Sequence, residues 1–301
     1  MYGEEPFTAR WGELALREPG SQTECWLLPE RAGATSAMLP LPGLGRMGHF
    51  GARDRESAVA VLEHATRALF EQGALKVLAP MDGTTWERYR LALNGPQDSF
   101  LGEPTNPPEY AAWLEAAGFG PDQHYTSTLT TDLERVYPEL ERLERRLAGR
   151  VAIRPLRDFE SELESLHGLS LEAFAHNAYF TPISLAEFKA LYRPLAPLLR
   201  NELVLIAEEG PRPVGFVLSY PDRVPGRLVL KTLATAPDRR GLGLGTVLTA
   251  RIHQVACQLG FKQVIHALMH SQNPSQHVSQ RASAGRALLW RRYALYSRGA
   301  A

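Results

Sequence analysis

The run Arg239-Arg240-Gly241-Leu242-Gly243-Leu244-Gly245 constrains this chain more than any other feature. It lies between an apolar segment, 227–235, that reads as a strand and a segment to about Leu259 that reads as a helix. The first turn of a helix offers unpaired main-chain N–H groups and the positive end of its dipole. Glycines let a phosphate approach that backbone closely, and arginines add charge-assisted contacts. A pyrophosphate fits such a loop. A mononucleotide loop would need a Gly-Lys-[Ser/Thr] ending, and no lysine is present. A dinucleotide loop would need a third glycine at 246 or 248, where Thr246 and Leu248 stand. What remains is Arg240-x-x-Gly243-x-Gly245, or else a glycine-rich surface turn that holds no ligand.

At 301 residues the chain is long for one compact α/β domain and comfortable for two of about 150 each. Lys+Arg and Asp+Glu balance at 33 each, which gives no reason to expect nucleic-acid or membrane-surface binding. Cys25 and Cys257 form no Cys/His cluster, and no metal site is expected. No stretch approaches the ~18 apolar residues of a membrane span, and no secretory signal is read, so a cytoplasmic protein with reduced thiols is expected.

The clearest break falls at residues 133–150. Val136, Leu140, Leu143 and Leu147 recur at helical spacing with Glu and Arg on the other face, which predicts an amphipathic linker helix ending at Gly149. Residues 151–301 then alternate strands and helices. One helix opens with Ser184-Leu-Ala-Glu187, the spacing of a capping box. Residues 1–132 repeat the later part of that order. Gly73 and Gly260 each close a long helix just before a Lys/Val-containing strand. Asn106-Pro107 and Asn273-Pro274 each begin a short helix, with Gly118 and Gly285 at equal distance beyond. These landmarks require an insertion within about 82–101. The offset relating Gly73 to Gly260 takes Arg240 to Arg53, Gly243 to Glu56 and Gly245 to Ala58. A carboxylate there repels a pyrophosphate, so the N-terminal half is expected to be a degenerate copy that binds no cofactor.

The segment Leu233-Ala-Thr-Ala-Pro-Asp-Arg-Arg-Gly-Leu-Gly-Leu-Gly245, the helix after it, the strand to His270 and Asn273 resemble the GNAT superfamily of N-acetyltransferases. The resemblance implies a mixed α/β fold of two GNAT-like domains, each a mostly antiparallel sheet flanked by helices. It implies that Arg239, Arg240, Gly241, Leu242, Gly243, Leu244, Gly245 and Thr246 hold the pyrophosphate of acetyl-CoA or another acyl-CoA. Leu233, Ala234 and Thr235 would meet the pantetheine and polarise the thioester. Asn273 sits where a family Asn often contacts the cofactor, and it also suits a helix cap before Pro274. The expected reaction is direct transfer of an acetyl group to a primary amine of a small molecule or peptide. The alternative is a non-catalytic acyl-CoA-binding or regulatory protein.

Many family members carry a tyrosine acid seven residues after the Asn, where this chain has Gln280. Tyr293 and His277 are the substitutes considered for the acid, with Tyr296 and Ser279 behind them. For the base, His266 and His270 are four apart on a predicted strand and hence expected on one face. The amine is expected to meet the loop of Asn177, Tyr179 and Phe180, with Glu103 of the N-terminal half as an acidic attractant.

Overall fold

The computed structural model describes residues 14–16, 24–27, 34–41, 43–94, 98–134, 137 and 139–300. In chain order the elements are β1 (Leu14–Leu16), β2 (Glu24–Leu27), β3 (Ala34–Leu41), β4 (Gly43–Ala52), α1 (Arg55–Glu71), β5 (Ala74–Ala79), β6 (Leu91–Asn94), α2 (Tyr110–Ala116) and β7 (Gly120–Thr130). They continue with α3 (Leu140–Leu147), β8 (Ala152–Pro155), α4 (Phe159–Phe174), α5 (Leu185–Tyr192), β9 (Val204–Glu209), β10 (Arg212–Pro221), β11 (Arg227–Thr235), α6 (Leu244–Gln258), β12 (Gln263–His270), α7 (Ser275–Ala282) and β13 (Leu288–Gly299). The fold is mixed α/β, as the sequence predicts.

Two compact units emerge, and neither is one continuous stretch of chain. The first holds the residues up to Asn94, Pro104–His124 and Tyr293–Ala301; the second holds Gly95–Glu103 and Tyr125–Arg292. The last half of β7 therefore belongs with the glycine loop, and most of β13 belongs with the N-terminal residues.

In the first unit β1 to β4 pair antiparallel in sequence order, β4 runs parallel to β5, and β13 lies antiparallel to β5 with Tyr296 opposite Ala79. Asp54 caps α1 by accepting from the Ser57 N–H at 2.8 Å. Val61, Leu62, Ala65 and Leu69 then bury one helical stripe against Met47, Val77, Leu114 and Tyr296. The β4–β5 ladder ends at Arg46 opposite Leu78. Beyond that rung the chain fills the gap with its own segment 80–83. Met81 N–H donates to Met47 O at 2.7 Å, His49 N–H to Asp82 Oδ1 at 2.5 Å, and Arg46 Nη1 to Gly83 O at 2.6 Å.

In the second unit the strand order is β8-β9-β10-β11-β12-β7, antiparallel except for the β11–β12 pair. Helices cover both faces. His253 of α6 meets His266, and Ser279 and Ser283 of α7 meet Thr128 and Thr130, so α6 and α7 share one face. Tyr192 of α5 bonds to Thr232. On β11 that residue alternates with Leu233 and Thr235, which look toward α6, so α5 covers the opposite face. The expected capping box at α5 is present, with Ser184 and Glu187 bonded reciprocally. In α3, Leu140, Leu143 and Leu147 are buried as the amphipathic pattern predicts; Val136 lies outside the described residues. Residues 98–103, at the edge of the expected insertion, tie to the β10–β11 turn. Leu101 N–H donates to Asp222 at 2.7 Å, Tyr220 Oη donates to Leu101 O at 3.0 Å, and Arg227 pairs with Asp98 at 2.8 Å.

The plug in the first unit is testable. A Cβ at Gly48 would land on the Met81 carbonyl and 2.5 Å from Asp82 Cα, and main chain cannot yield cheaply. Gly48→Ala should cost about 1–3 kcal/mol of stability, read from urea unfolding midpoints.

Candidate functional site

Gly243 opens α6 in the left-handed conformation, with φ of +87°. Among the described residues, the main-chain N–H groups from Gly241 to Thr246 have no acceptor. Six donors thus converge at the positive end of a four-turn helix, which is the arrangement an anion needs. One wall of this mouth is α3: a Cβ on Gly243 would sit 2.8 Å from Leu143 Cδ2. Glycine is favoured there by its positive φ, and a Cβ would also make the Leu143 side chain shift.

The two loop arginines have structural work as well. Arg239 pairs with Glu209 at 2.9 Å and with Asp238 at 3.0 Å, and Asp238 also holds Arg212 at 3.0 Å. Arg212 and Arg239 keep the Asp238 carboxyl below its ordinary range. Arg240 is exposed, and its Nη2 donates to Ala173 O at 2.6 Å, tying the loop to the C-terminal turn of α4. The anion-binding capacity of the loop therefore rests chiefly on its amides.

Beside the loop the sheet opens. The parallel β11–β12 ladder runs from Arg227 opposite Gln263 to Leu230 opposite His266 and stops there. Each strand carries a bulge at that point. On β11 the register to β10 slips around Lys231. On β12 it slips between His266 and Met269, where Leu268 takes φ of +56° and gives its N–H to Ser127 Oγ at 3.0 Å. Past the bulges β11 keeps β10 as its partner and β12 keeps β7. The β11 edge at Leu233, Ala234 and Thr235 is left open. Gly245 looks into the opening; a Cβ there would meet Leu233, Val278 and Thr235 at 3.6–3.8 Å.

The β12 bulge overturns one expectation. His266 faces Thr128 and His270 faces Tyr125, and these β7 residues lie on opposite faces. His266 and His270 are therefore back to back despite their spacing of four. His266 is buried under α6, its Nε2 2.7 Å from Nε2 of His253, which also bonds to the Ala282 backbone. His270 is half-buried on the α5 face, its ring 4.9 Å from that of Tyr125.

The other expected site residues are scattered. Asn273 Oδ1 accepts from Ser275 N–H at 3.0 Å just before α7, whose N-cap is Pro274 rather than Asn273. His277 is exposed on α7. Tyr293 is fully buried and belongs to the first unit, as does Tyr296, which donates to Glu115. Glu103 belongs to the second unit and is buried; it accepts from Phe100 N–H at 3.1 Å and pairs with Arg291 at 2.9 Å. Asn177, Tyr179 and Phe180 form the turn between α4 and α5, with Tyr179 at φ of +58°. Beyond Phe180, the chain is fastened by His167 Nε2 on Ile183 O at 2.8 Å. Sequence reasoning did not reach Leu143, Val278, Thr232, Tyr192 or Gln272. Only Leu143 carried a signal, as part of the amphipathic stripe.

Residues 170–283 match the model of the acetyltransferase (GNAT) family. The second unit is similar to that family over those residues. Escherichia coli (strain K12) Protein YghO is 29% identical over 186 residues, 58% of this chain and 47% of that protein, so the match spans about half of the relative. A GCN5-related N-acetyltransferase from Sphaerobacter thermophilus superposes with a TM-score of 0.57 at 14% identity, over 89% of this chain and 76% of that one. A tandem GNAT protein from the clavulanic acid biosynthesis pathway gives 0.51 at 13% identity, over 93% and 83%. These structures share the fold. The matched model is that of a family of acetyltransferases.

The histidine pair makes the opening acid-sensitive. Burial pushes His253 down from 6.5 to about 4 and lowers His266 as well, because a charged imidazole there loses its water. The unfolded chain takes protons below pH ~6.5 that the folded chain refuses, so the stability is complete above that pH and is lost as pH falls toward 4. Unfolding between pH 7 and pH 4 should show a loss on the order of 3 kcal/mol from His253, with His266 adding to it in the same direction. The His253→Leu/His266→Phe double variant should lose correspondingly less over the same range.

Proposed function

We propose that the chain is an N-acyltransferase that moves an acetyl group from acetyl-CoA to a primary amine of a small molecule or peptide by direct transfer. The observation that carries this reading is the set of unsatisfied amides at Gly241–Thr246 beside an opened parallel strand pair. The fit to acyl-CoA is chemical. The amides suit a diphosphate, aided by Arg240. The open β11 edge at Leu233–Thr235 offers main-chain donors and acceptors to the two amides of a pantetheine arm. Gly245, facing Leu233, Thr235 and Val278, leaves room for that arm. When bound, acyl-CoA would supply the activated thioester. The chain orients it, presents β11 N–H groups to the carbonyl, and receives the amine on the α5 face, where Asn177, Tyr179 and Phe180 lie.

Residues 151–301 would carry the working site, residues 133–150 would link, and residues 1–132 would be the degenerate copy. Supporting that reading, the β4–β5 ladder of the first unit also stops partway, but segment 80–83 fills its mouth. One acyl-CoA per chain is therefore expected, in a protein placed in the cytoplasm. The second reading, an acyl-CoA-binding or regulatory protein without turnover, is favoured by one observation: Gln280 stands where the family acid would be, and its side chain is bonded to Ala287 O at 3.0 Å.

Gly245 separates binding from folding. It lies in the first turn of α6 with ordinary φ and room for a methyl group. Gly245→Ala should raise stability by up to about 1 kcal/mol through helix propensity. Gly245→Val should weaken acetyl-CoA binding at least roughly tenfold in calorimetry by narrowing the opening. Wild-type affinity in Gly245→Val, or two equivalents bound per chain, would contradict the proposal. Release of free CoA with a panel of amines would separate enzyme from binding protein.

A further inference from the structure

His270 ends β12 on the face from which the amine would arrive. Each strand of the opened pair spends one extra residue in a bulge, so they stay in step and His270 stands at the level of Ala234 across the opening. Tyr125, 5% exposed, presses its ring against the imidazole at an interplanar angle of 78° and limits its rotation. The ring is also held by an atom-specific contact. Nδ1 accepts a hydrogen bond from the main-chain N–H of Gln272 at 3.1 Å. A nitrogen that accepts carries no proton, so the neutral imidazole bears its hydrogen on Nε2.

That tautomer has a chemical consequence. At Nε2 a neutral ring so held can give a hydrogen bond but cannot take a proton. Protonation at Nδ1 would forfeit the Gln272 contact. We propose that His270 is not the base of the reaction but the hydrogen-bond donor to the departing sulfur, in the role for which Gln280 is unsuited. This rests on the acyl-CoA reading above. In the transfer, a carbon–nitrogen bond forms and the carbon–sulfur bond breaks, its electron pair going to sulfur. The amine nitrogen releases one proton to water. Nε2–H of His270 stabilises the thiolate until water returns a proton to it. Charge is balanced throughout, and no further reactant is needed.

The tautomer can be read in the free protein. Nitrogen-15 NMR of the His270 ring should show a protonated Nε2 and an unprotonated Nδ1; the reverse pattern overturns the proposal. In the CoA complex, the thiol pKa, followed by thiolate ultraviolet absorbance, should be higher by about one unit in His270→Phe than in the wild type. The same variant should lose roughly 10- to 100-fold in kcat with little change in the KM for acetyl-CoA. His270→Gln, which keeps an N–H donor, should recover most of that loss and keep the acid limb of kcat/KM. Disappearance of that limb in His270→Gln would make the residue a base and sink the idea. Should the wild type fail to bind acetyl-CoA at all, the acyl-CoA reading fails, while the NMR result still tests the ring's protonation.

Discussion

A parallel strand pair that stops pairing halfway is the constraint on which the second unit depends. Ladder hydrogen bonds given up in a sheet interior leave main-chain groups that each cost about 1–3 kcal/mol if buried without partners. β11 and β12 diverge after Leu230 and His266, and each newly orphaned stretch is treated differently. Leu268 turns its N–H to Ser127 Oγ, and the Thr232 side chain, not its main chain, meets Tyr192. Among the described residues, the main-chain edge from Leu233 to Thr235 meets no such substitute. One strand edge and one helix mouth among the described residues thus keep main-chain groups without internal partners.

The first unit meets the same constraint and resolves it internally. Its β4–β5 ladder ends at Arg46 and Leu78, and Met81, Asp82 and Gly83 occupy the gap with hydrogen bonds to Met47, His49 and Arg46. Gly48 has no side chain because main chain already stands where its Cβ would be. Comparison of the two units makes the functional assignment sharper than the loop alone. Both geometries open a sheet, but only one leaves the opening empty of its own chain.

Local features were legible in the sequence. The glycine loop, the box at Ser184 and Glu187, the glycine stops at Gly73 and Gly260, and the stripe of α3 all depend on interactions within a few residues, which spacing reports directly. What depends on non-local pairing was not legible. The exchange of β7 and β13 between units puts Tyr293 in one and Tyr125 in the other, and no local pattern encodes that. Glu103 looked like an attractant for an amine because its partner, Arg291, is far away in sequence. The bulge at Ala267 and Leu268 is the sharpest case. Strand periodicity assumes two residues per repeat, and a single inserted residue reverses every side chain beyond it.

That one inserted residue also sorts the histidines chemically. Without it, His266 and His270 would share a face and compete for one environment. With it, His266 turns under α6, where water is excluded and only a neutral ring paired to His253 is tolerated. His270 turns toward the α5 face, where the Gln272 N–H bonds to its Nδ1 and the Tyr125 ring packs edge-on against it. Burial disfavours the charged form of His266, while the His270 ring is oriented by a main-chain N–H at Nδ1. The bulge at which the β12 pairing slips is therefore the same device that sends the two histidines to opposite faces of the sheet.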